Sequence, residues 1–265
     1  MRLGLRTKLK KWIGKQQCVR ALPAPLKQPL LFSDLQTKTL SRNNLYRYCD
    51  YYFDHFLPES FRDHRRYFST GSRGFGEDAF HAMWFLLFQH FRPANVLEIG
   101  VYRGQTITLW KMLSRHFGFD CQVSCISPFS PSGDSVSQYG TAVDYHADVL
   151  QNHKNFDLPV PAICRAFSND PAAVAFIQSR LWDMVYIDGN HDYDVACGDW
   201  ENCSRHLAPG GIIILDDSAL ETDYRPPAFA TAGHPGPSKL AREIDAAAFR
   251  EIFSTGHNRV FQKLN

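Results

Sequence analysis

No run in the 265 residues approaches the ~18 consecutive apolar side chains that span a bilayer, although 44% of the chain is hydrophobic. A sizeable core is therefore expected and a membrane span is not. The opening MRLGLRTKLKKWIGKQQ carries charge but lacks the apolar stretch of a secretory leader. The seven cysteines include no Cys-x-x-Cys pair. Their odd count and scatter argue against a zinc ribbon or a disulfide framework, and point to free thiols in a reducing, cytoplasmic setting. Gly-x-Gly-x-x-Gly and Gly-Lys-Ser/Thr are both missing, so neither a dinucleotide pyrophosphate nor a P-loop nucleotide is the obvious ligand. Internal repeats and low-complexity tracts are absent too.

The net charge of +2 hides an asymmetry. Residues 1–50 hold eleven basic and two acidic side chains, a balance of +9 that leaves −7 on the remainder. A basic arm on an acidic body is not the composition of a nucleic-acid-binding domain, and no nucleic-acid partner is expected. Leu5, Leu9, Trp12 and Ile13 share one helical face, with lysines on the others. Residues 1–20 could so lie against anionic lipid as a peripheral contact, or form a solvated tail. ALPAPLKQP (21–29) reads as a linker because its prolines block regular structure. The expected organisation is a basic arm and linker over 1–42, a helical lead-in over 43–75 and one domain over 76–265.

That domain has a regular pattern. GEDAFHAMWFLLFQHF (76–91) predicts a helix, with acids in its first turn. Strands are expected at 95–99, 121–126, 160–165, 182–187 and 211–215. Helices are expected near 105–116, 141–153, 170–180, 193–206 and 237–248. The alternation predicts an α/β fold with a doubly wound, mostly parallel sheet covered on both faces. FREIFSTGHNRVFQKL (249–264) reads as an antiparallel hairpin at the sheet edge, turning at Thr255-Gly256-His257-Asn258.

NVLEIGVYRGQT (95–106) ends the first strand in a glycine turn with an acid inside it. Ligands of open α/β sheets sit beyond such strand ends. Gly100 lets the backbone approach a ligand, and Gly104 opens the next helix without a side chain in the way. Glu98 suits a ligand bearing an ammonium or sulfonium charge and repels a diphosphate. Further on, WDMVYIDGNHDY (182–193) is an apolar strand closed by Asp188 and followed by His191. LAPGGIIILDD (207–217) is a Pro-Gly-Gly turn, a buried strand and the pair Asp216-Asp217. Asp188 and Asp216 each close a parallel strand, and neighbouring strands lie ~4.8 Å apart. Carboxylates that close repel unless a cation or proton intervenes, and hard oxygen ligands suit Mg²⁺, Ca²⁺ or Mn²⁺. An imidazole beside such a site can take a hydroxyl proton.

These three stretches, in this order and spacing, resemble the signatures of the class I S-adenosylmethionine (SAM)-dependent methyltransferases over roughly residues 70–265. The resemblance is greatest to the branch of catechol-type and sugar O-methyltransferases. It implies a seven-stranded Rossmann-like methyltransferase fold and SAM bound by Glu98, Gly100, Tyr102 and Gly104. Ser127 stands where the family's second strand usually carries a ribose-binding acid, and Asp134 in the next loop is the one candidate to reach back. Phe167 and Ser168 follow the third strand, where relatives contact adenine; ordinary packing is the other reading of both. The resemblance further implies a divalent cation, expected to be Mg²⁺, on Asp188, Asp216 and Asp217. It places His191 as the base, with Asp188 beside it in the catalytic set, acting on a hydroxyl of a small polar acceptor such as a sugar or glycoside. Capping by the Asp pair and a surface-turn role for His191 are the plain alternatives. A non-catalytic binding or assembly protein that keeps the fold is the alternative function.

Overall fold

The computed structural model describes residues 2–137 and 139–264, with side chains described from residue 12 onward. Helices α1 (Arg2–Ala21), α2 (Phe32–Gln36), α3 (Arg42–His55), α4 (Glu59–Phe68) and α5 (Asp78–Phe91) precede the sheet. There follow β1 (Asn95–Ile99), α6 (Gln105–His116), β2 (Gln122–Ile126), α7 (Tyr145–Asn155), β3 (Ala162–Cys164) and α8 (Pro171–Gln178). The chain continues through β4 (Trp182–Ile187), α9 (Tyr193–Arg205), β5 (Leu207–Leu215), α10 (Pro235–Glu243), β6 (Phe249–Thr255) and β7 (Asn258–Lys263).

The seven strands run in the order β3-β2-β1-β4-β5-β7-β6. The first five are parallel, and β7 runs antiparallel to both β5 and β6. The strand order reverses between β1 and β4, where a ligand crevice belongs. This is the expected doubly wound sheet with its antiparallel hairpin. Among the boundary differences, three have a visible local cause or cost. The strand at 211–215 starts at Leu207, with a register irregularity opposite β4 between Trp182 and Met184 that absorbs Pro209-Gly210-Gly211. The edge strand β3 keeps only three residues, and α10 stops at Glu243 because Ile244 turns extended.

Side-chain parity divides the core into two layers. Val96, Met184, Tyr186, Ile212 and Ile214 face the layer holding α1–α6. Leu97, Ile99, Val185, Ile187, Ile213 and Leu215 face α8–α10. Continuing each strand by two residues puts Glu98, Asp188 and Asp216 on the first face, under the N-terminal helices.

Those helices correct one expectation. The arm and linker dock on the body: Cys18, Leu22, Leu26, Phe32 and Leu35 are all buried in the main core. Pro23 caps, and Pro25 sits within, a single 3₁₀ turn, Ala24–Leu26, whose leucine packs inward, where the sequence pointed to a linker. Phe32 packs against Phe91 and Phe253, tying α2 to α5 and the sheet edge. Lys15 reaches Asp54 and Asp78 at 2.9 Å and Asp50 at 3.5 Å. Trp12 and Ile13 stay exposed; Leu5 and Leu9, which complete the expected lipid-facing stripe, lie outside the described side chains. No described helix is long and apolar enough to cross a membrane. All seven cysteines are free thiols.

Candidate active site

A cavity of about 740 Å³ opens over the carboxyl ends of β1, β2, β4 and β5, and every site residue expected from the sequence lines it. Gly100 and Gly104 both have left-handed backbones, at φ 91° and 83°. A Cβ on Gly100 would lie 1.9 Å from the carbonyl oxygen of Asp188. That glycine is therefore required by the neighbouring strand end. Gly104 forms the N-terminal cap of α6 and would press a Cβ against Val149 at 3.2 Å. Tyr102, between them, packs on Phe75 at 4.7 Å and Tyr145 at 5.3 Å, forming an aromatic wall that the sequence reading missed. Glu98 is buried. Burial, opposed by a hydrogen bond from Thr106 and reinforced by the Asp216 charge, pushes its carboxyl up to about 8. Its Oε2 has no hydrogen-bond partner among the described residues.

The β2 and β3 ends are less open to a ligand than their sequence suggests. The Ser127 hydroxyl donates to the Val101 carbonyl at 3.2 Å and accepts from the Phe129 N–H at 3.3 Å. Ser168 lies beside Asp199, a carboxyl on α9 that burial raises to about 7. Phe167 is 49% exposed, so its ring is free to stack.

Asp134 is committed elsewhere than to a ribose. Its Oδ1 accepts from the N–H groups of Val136 and Ser137, at 2.9 and 2.7 Å. Its Oδ2 accepts from the His191 N–H at 2.9 Å and faces His191 Nδ1 at 2.6 Å. Against the cost of burial, these donors hold the carboxyl down at about 2. The other imidazole nitrogen, Nε2, sits 2.9 Å from Asp217 Oδ2. Burial disfavours the imidazolium, but the hydrogen bonds and charges of Asp217 and then Asp134 outweigh it and lift His191 to about 9.

Asp188 and Asp216 come together as expected. Burial, and then the Asp216 charge, raise Asp188 far above the usual carboxylate range, and Asp188 hydrogen-bonds to Asp216. Burial also raises Asp216. Asp217 follows the strand in the left-handed conformation, φ 50°, which turns its side chain toward the histidines. There the His191 hydrogen bond and the His257 charge overcome burial and lower it. Two donor triads result, each with its atoms within 4.8 Å of one another: Asp216, Asp217 and His257, and His191, Asp217 and His234. Asp188 belongs to neither among the described residues. The sequence does not single out His234 or His257: the first shows no ligand spacing, and the second reads only as a hairpin-turn residue.

Residues 97–218 match the family model described as a methyltransferase domain. No curated protein sequence matches the chain. Solved structures share its architecture at low identity. The SAH-bound methyltransferase PaMTH1 of Podospora anserina superposes with TM-score 0.58 at 12% identity, over 90% of this chain and 99% of that one. The Bacillus cereus O-methyltransferase in complex with SAH gives 0.56 at 14%, over 85% and 100%. The O-methyltransferase TomG of Streptomyces achromogenes, involved in tomaymycin synthesis and solved with SAM, gives 0.53 at 11%, over 86% and 100%. The chain thus has a Rossmann-like methyltransferase fold, and residues 97–218 within it match a methyltransferase domain.

Proposed function

We propose that the protein transfers the methyl group of SAM to a hydroxyl of a small polar acceptor, a sugar or glycoside fitting best. The observation that carries this reading is the single cavity joining the Glu98–Gly104 turn to the cluster of Asp188, His191, Asp216 and Asp217. Glu98, with an unpartnered buried oxygen, suits the ammonium group of SAM. Phe167 offers its face to the adenine.

The acid cluster fits a divalent cation. Asp216 Oδ1 is buried without a hydrogen-bond partner, and burial and the neighbouring Asp216 charge raise Asp188 well above the usual carboxylate range. Asp188, Asp216 and Asp217 would hold such an ion, which would neutralise them and polarise an acceptor hydroxyl. His191 then acts through Nε2. The contact between Asp134 and Nδ1 selects the tautomer protonated at Nδ1 and fixes the plane of the ring, as the carboxylate of a catalytic triad does. Nε2 becomes a base only when Asp217 no longer holds it, so the acceptor proton moves to His191 with Asp217 engaged elsewhere. The exposed Trp12 and Ile13 beside the lysines of the arm support a peripheral contact with an anionic surface, which vesicle flotation tests.

Calorimetric titration with SAM and SAH, followed by methyl transfer from labelled SAM to a panel of sugars and glycosides, tests the reading. Binding plus transfer to any hydroxyl supports it. The absence of SAM binding would instead favour a non-catalytic binding protein, a reading favoured by the commitment of Ser127 to Val101 and the lack of any acid at the β2 end.

A further inference from the structure

We infer that His257, on the β6–β7 turn, is a metal ligand, and that the site therefore takes a borderline transition-metal ion such as Mn²⁺, Co²⁺ or Zn²⁺ in preference to Mg²⁺. The inference rests on the acid cluster of the proposed function and names the ion class that the cluster selects.

His257 is buried, with its ring edge-on to Phe80 at 4.8 Å. Its backbone is pinned to the end of β5, because the Ser218 N–H donates to the His257 carbonyl at 2.9 Å. The turn that carries it passes through Gly256 at φ 62°, where a Cβ would strike the Phe80 ring at 2.8 Å. The side chain is oriented as firmly as the backbone. Nδ1 lies 3.2 Å from the Thr231 carbonyl, an acceptor only, so Nδ1 carries the hydrogen. Metal-binding histidines are commonly fixed in this way, with one ring nitrogen donating to a backbone carbonyl and the other left for the ion.

The free nitrogen, Nε2, points at two carboxylates. It is 3.3 Å from Asp216 Oδ1 and 3.8 Å from Asp217 Oδ1. Without an ion a proton on Nε2 balances these two oxygens, and a cation bound between the three donors would take its place. Asp216 Oδ1 is the same buried oxygen that lacks a hydrogen-bond partner. Donors bonded to one ion at ~2.0–2.2 Å lie about 3–4 Å apart, which is the spacing observed here. The other two histidines are placed differently. Both nitrogens of His191 are engaged by Asp134 and Asp217. His234 is more exposed and approaches a single carboxylate, Asp217, at 3.8 Å. An imidazole among carboxylates shifts preference from Mg²⁺, which favours oxygen, toward the later divalent ions.

The test uses the full chain stripped with EDTA and titrated separately with Mg²⁺, Mn²⁺ and Co²⁺. Calorimetry gives the affinities, and pulsed EPR of the Mn²⁺ form reads ¹⁴N coupling from a bound imidazole. The expected result is tighter binding of Co²⁺ than of Mg²⁺, and a ¹⁴N coupling that His257→Gln removes while His191→Gln and His234→Gln retain it. His257→Gln should also weaken Co²⁺ by at least the ~10–100-fold that even an outer-shell change costs. If His257→Gln does not fold, the parent and the two other variants still decide the matter. Coupling lost in His191→Gln or His234→Gln, no coupling in the parent, or Co²⁺ binding within about threefold of the parent in His257→Gln each overturns the inference. His257 would then be only a counter-charge. A parent that binds no ion overturns it too, and SAM titration of the same sample then shows separately whether the methyltransferase reading stands.

Discussion

The half of the cavity over β1–β3 and the half over β4, β5 and the hairpin turn are built from different materials. The first is mostly backbone and neutral surface: two left-handed glycines, a Ser127 hydroxyl already committed to protein partners, and the rings of Tyr102 and Phe167. The second is a knot of ionisable groups, in which Asp134, His191, Asp217, His257 and Asp216 follow one another within hydrogen-bond or ion-pair distance. A ligand is held by shape in the first half and has its charges handled in the second. Changes in the first half should therefore affect folding and cofactor affinity, and changes in the second should affect rate.

The largest effect should come from removing the arm, which packs into the main core and belongs to neither half alone. Deleting residues 1–42 strips Cys18, Leu22, Leu26, Phe32 and Leu35 from the core. At ~1.5–3 kcal/mol per buried side chain the loss is on the order of 10 kcal/mol, comparable with the total stability of ~5–15 kcal/mol of a typical domain. Circular dichroism should show an unfolded or aggregated product; a cooperative melt like that of the full chain would mean the docking is worth little.

Gly100→Val comes next. Its side chain would start 1.9 Å from a backbone oxygen at a φ of 91°, so misfolding is expected before any question of SAM arises. A variant that melts normally and loses only SAM affinity would show that the strand ends separate easily.

His191→Ala tests the other half. The expected fall in kcat is ~10²–10⁴-fold, with the SAM Kd nearly unchanged, because the ring faces Asp134 and Asp217 and not the glycine turn. Asp134→Asn should reproduce part of the loss by releasing the ring. A His191→Ala enzyme close to the parent rate would remove the base from the mechanism.

Phe167→Ala should be milder. An exposed aromatic face is worth ~0.5–1.5 kcal/mol in a stacked pair, so SAM affinity should fall several-fold with kcat and Tm unchanged. If calorimetry finds no change, the adenine lies elsewhere.

The smallest expected signal is in pH. Burial raises Asp199, beneath Ser168, and Asp50, near Lys15, to about 7 each, against ~3.9 for a solvated aspartate. The folded state thus keeps protons that the unfolded chain releases. Their contribution is full below about pH 4 and is lost as pH rises through 7. Asp134, held at about 2, acts in the opposite sense: its contribution is present above ~3.9 and lost as pH falls toward 2. Melts from pH 5 to 9 should show a decline that Asp199→Asn makes shallower; equal slopes in parent and variant would mean that Asp199 is ionised in the fold.

How much of the site could be read from the chain depended on how far apart its partners lie in sequence. Glu98, Asp188 and Asp216 were legible because each sits in or directly after an apolar strand, and strand parity assigns such a residue to a face. The glycine turn was legible for a similar reason, although its steric cause was not, since the Asp188 carbonyl that forbids a Cβ on Gly100 lies on another strand. Asp134 was misread. The sequence shows a carboxylate in a serine-rich loop near the β2 end, and only the packing of that loop brings it to His191, 57 positions away.

The alternation of apolar strands and helices, and with it the sheet and the face on which the acids stand, followed from the sequence alone, because those preferences are local and repeat with a fixed period. Tertiary structure alone decided what each polar group does. It seated the arm whose prolines resembled a linker, occupied the hydroxyl of Ser127, clamped His191 between two carboxylates and turned His257 from the hairpin toward Asp216. These are contacts between segments far apart in the chain. Their energies come from desolvation and hydrogen-bond geometry, and no local periodicity records either of those.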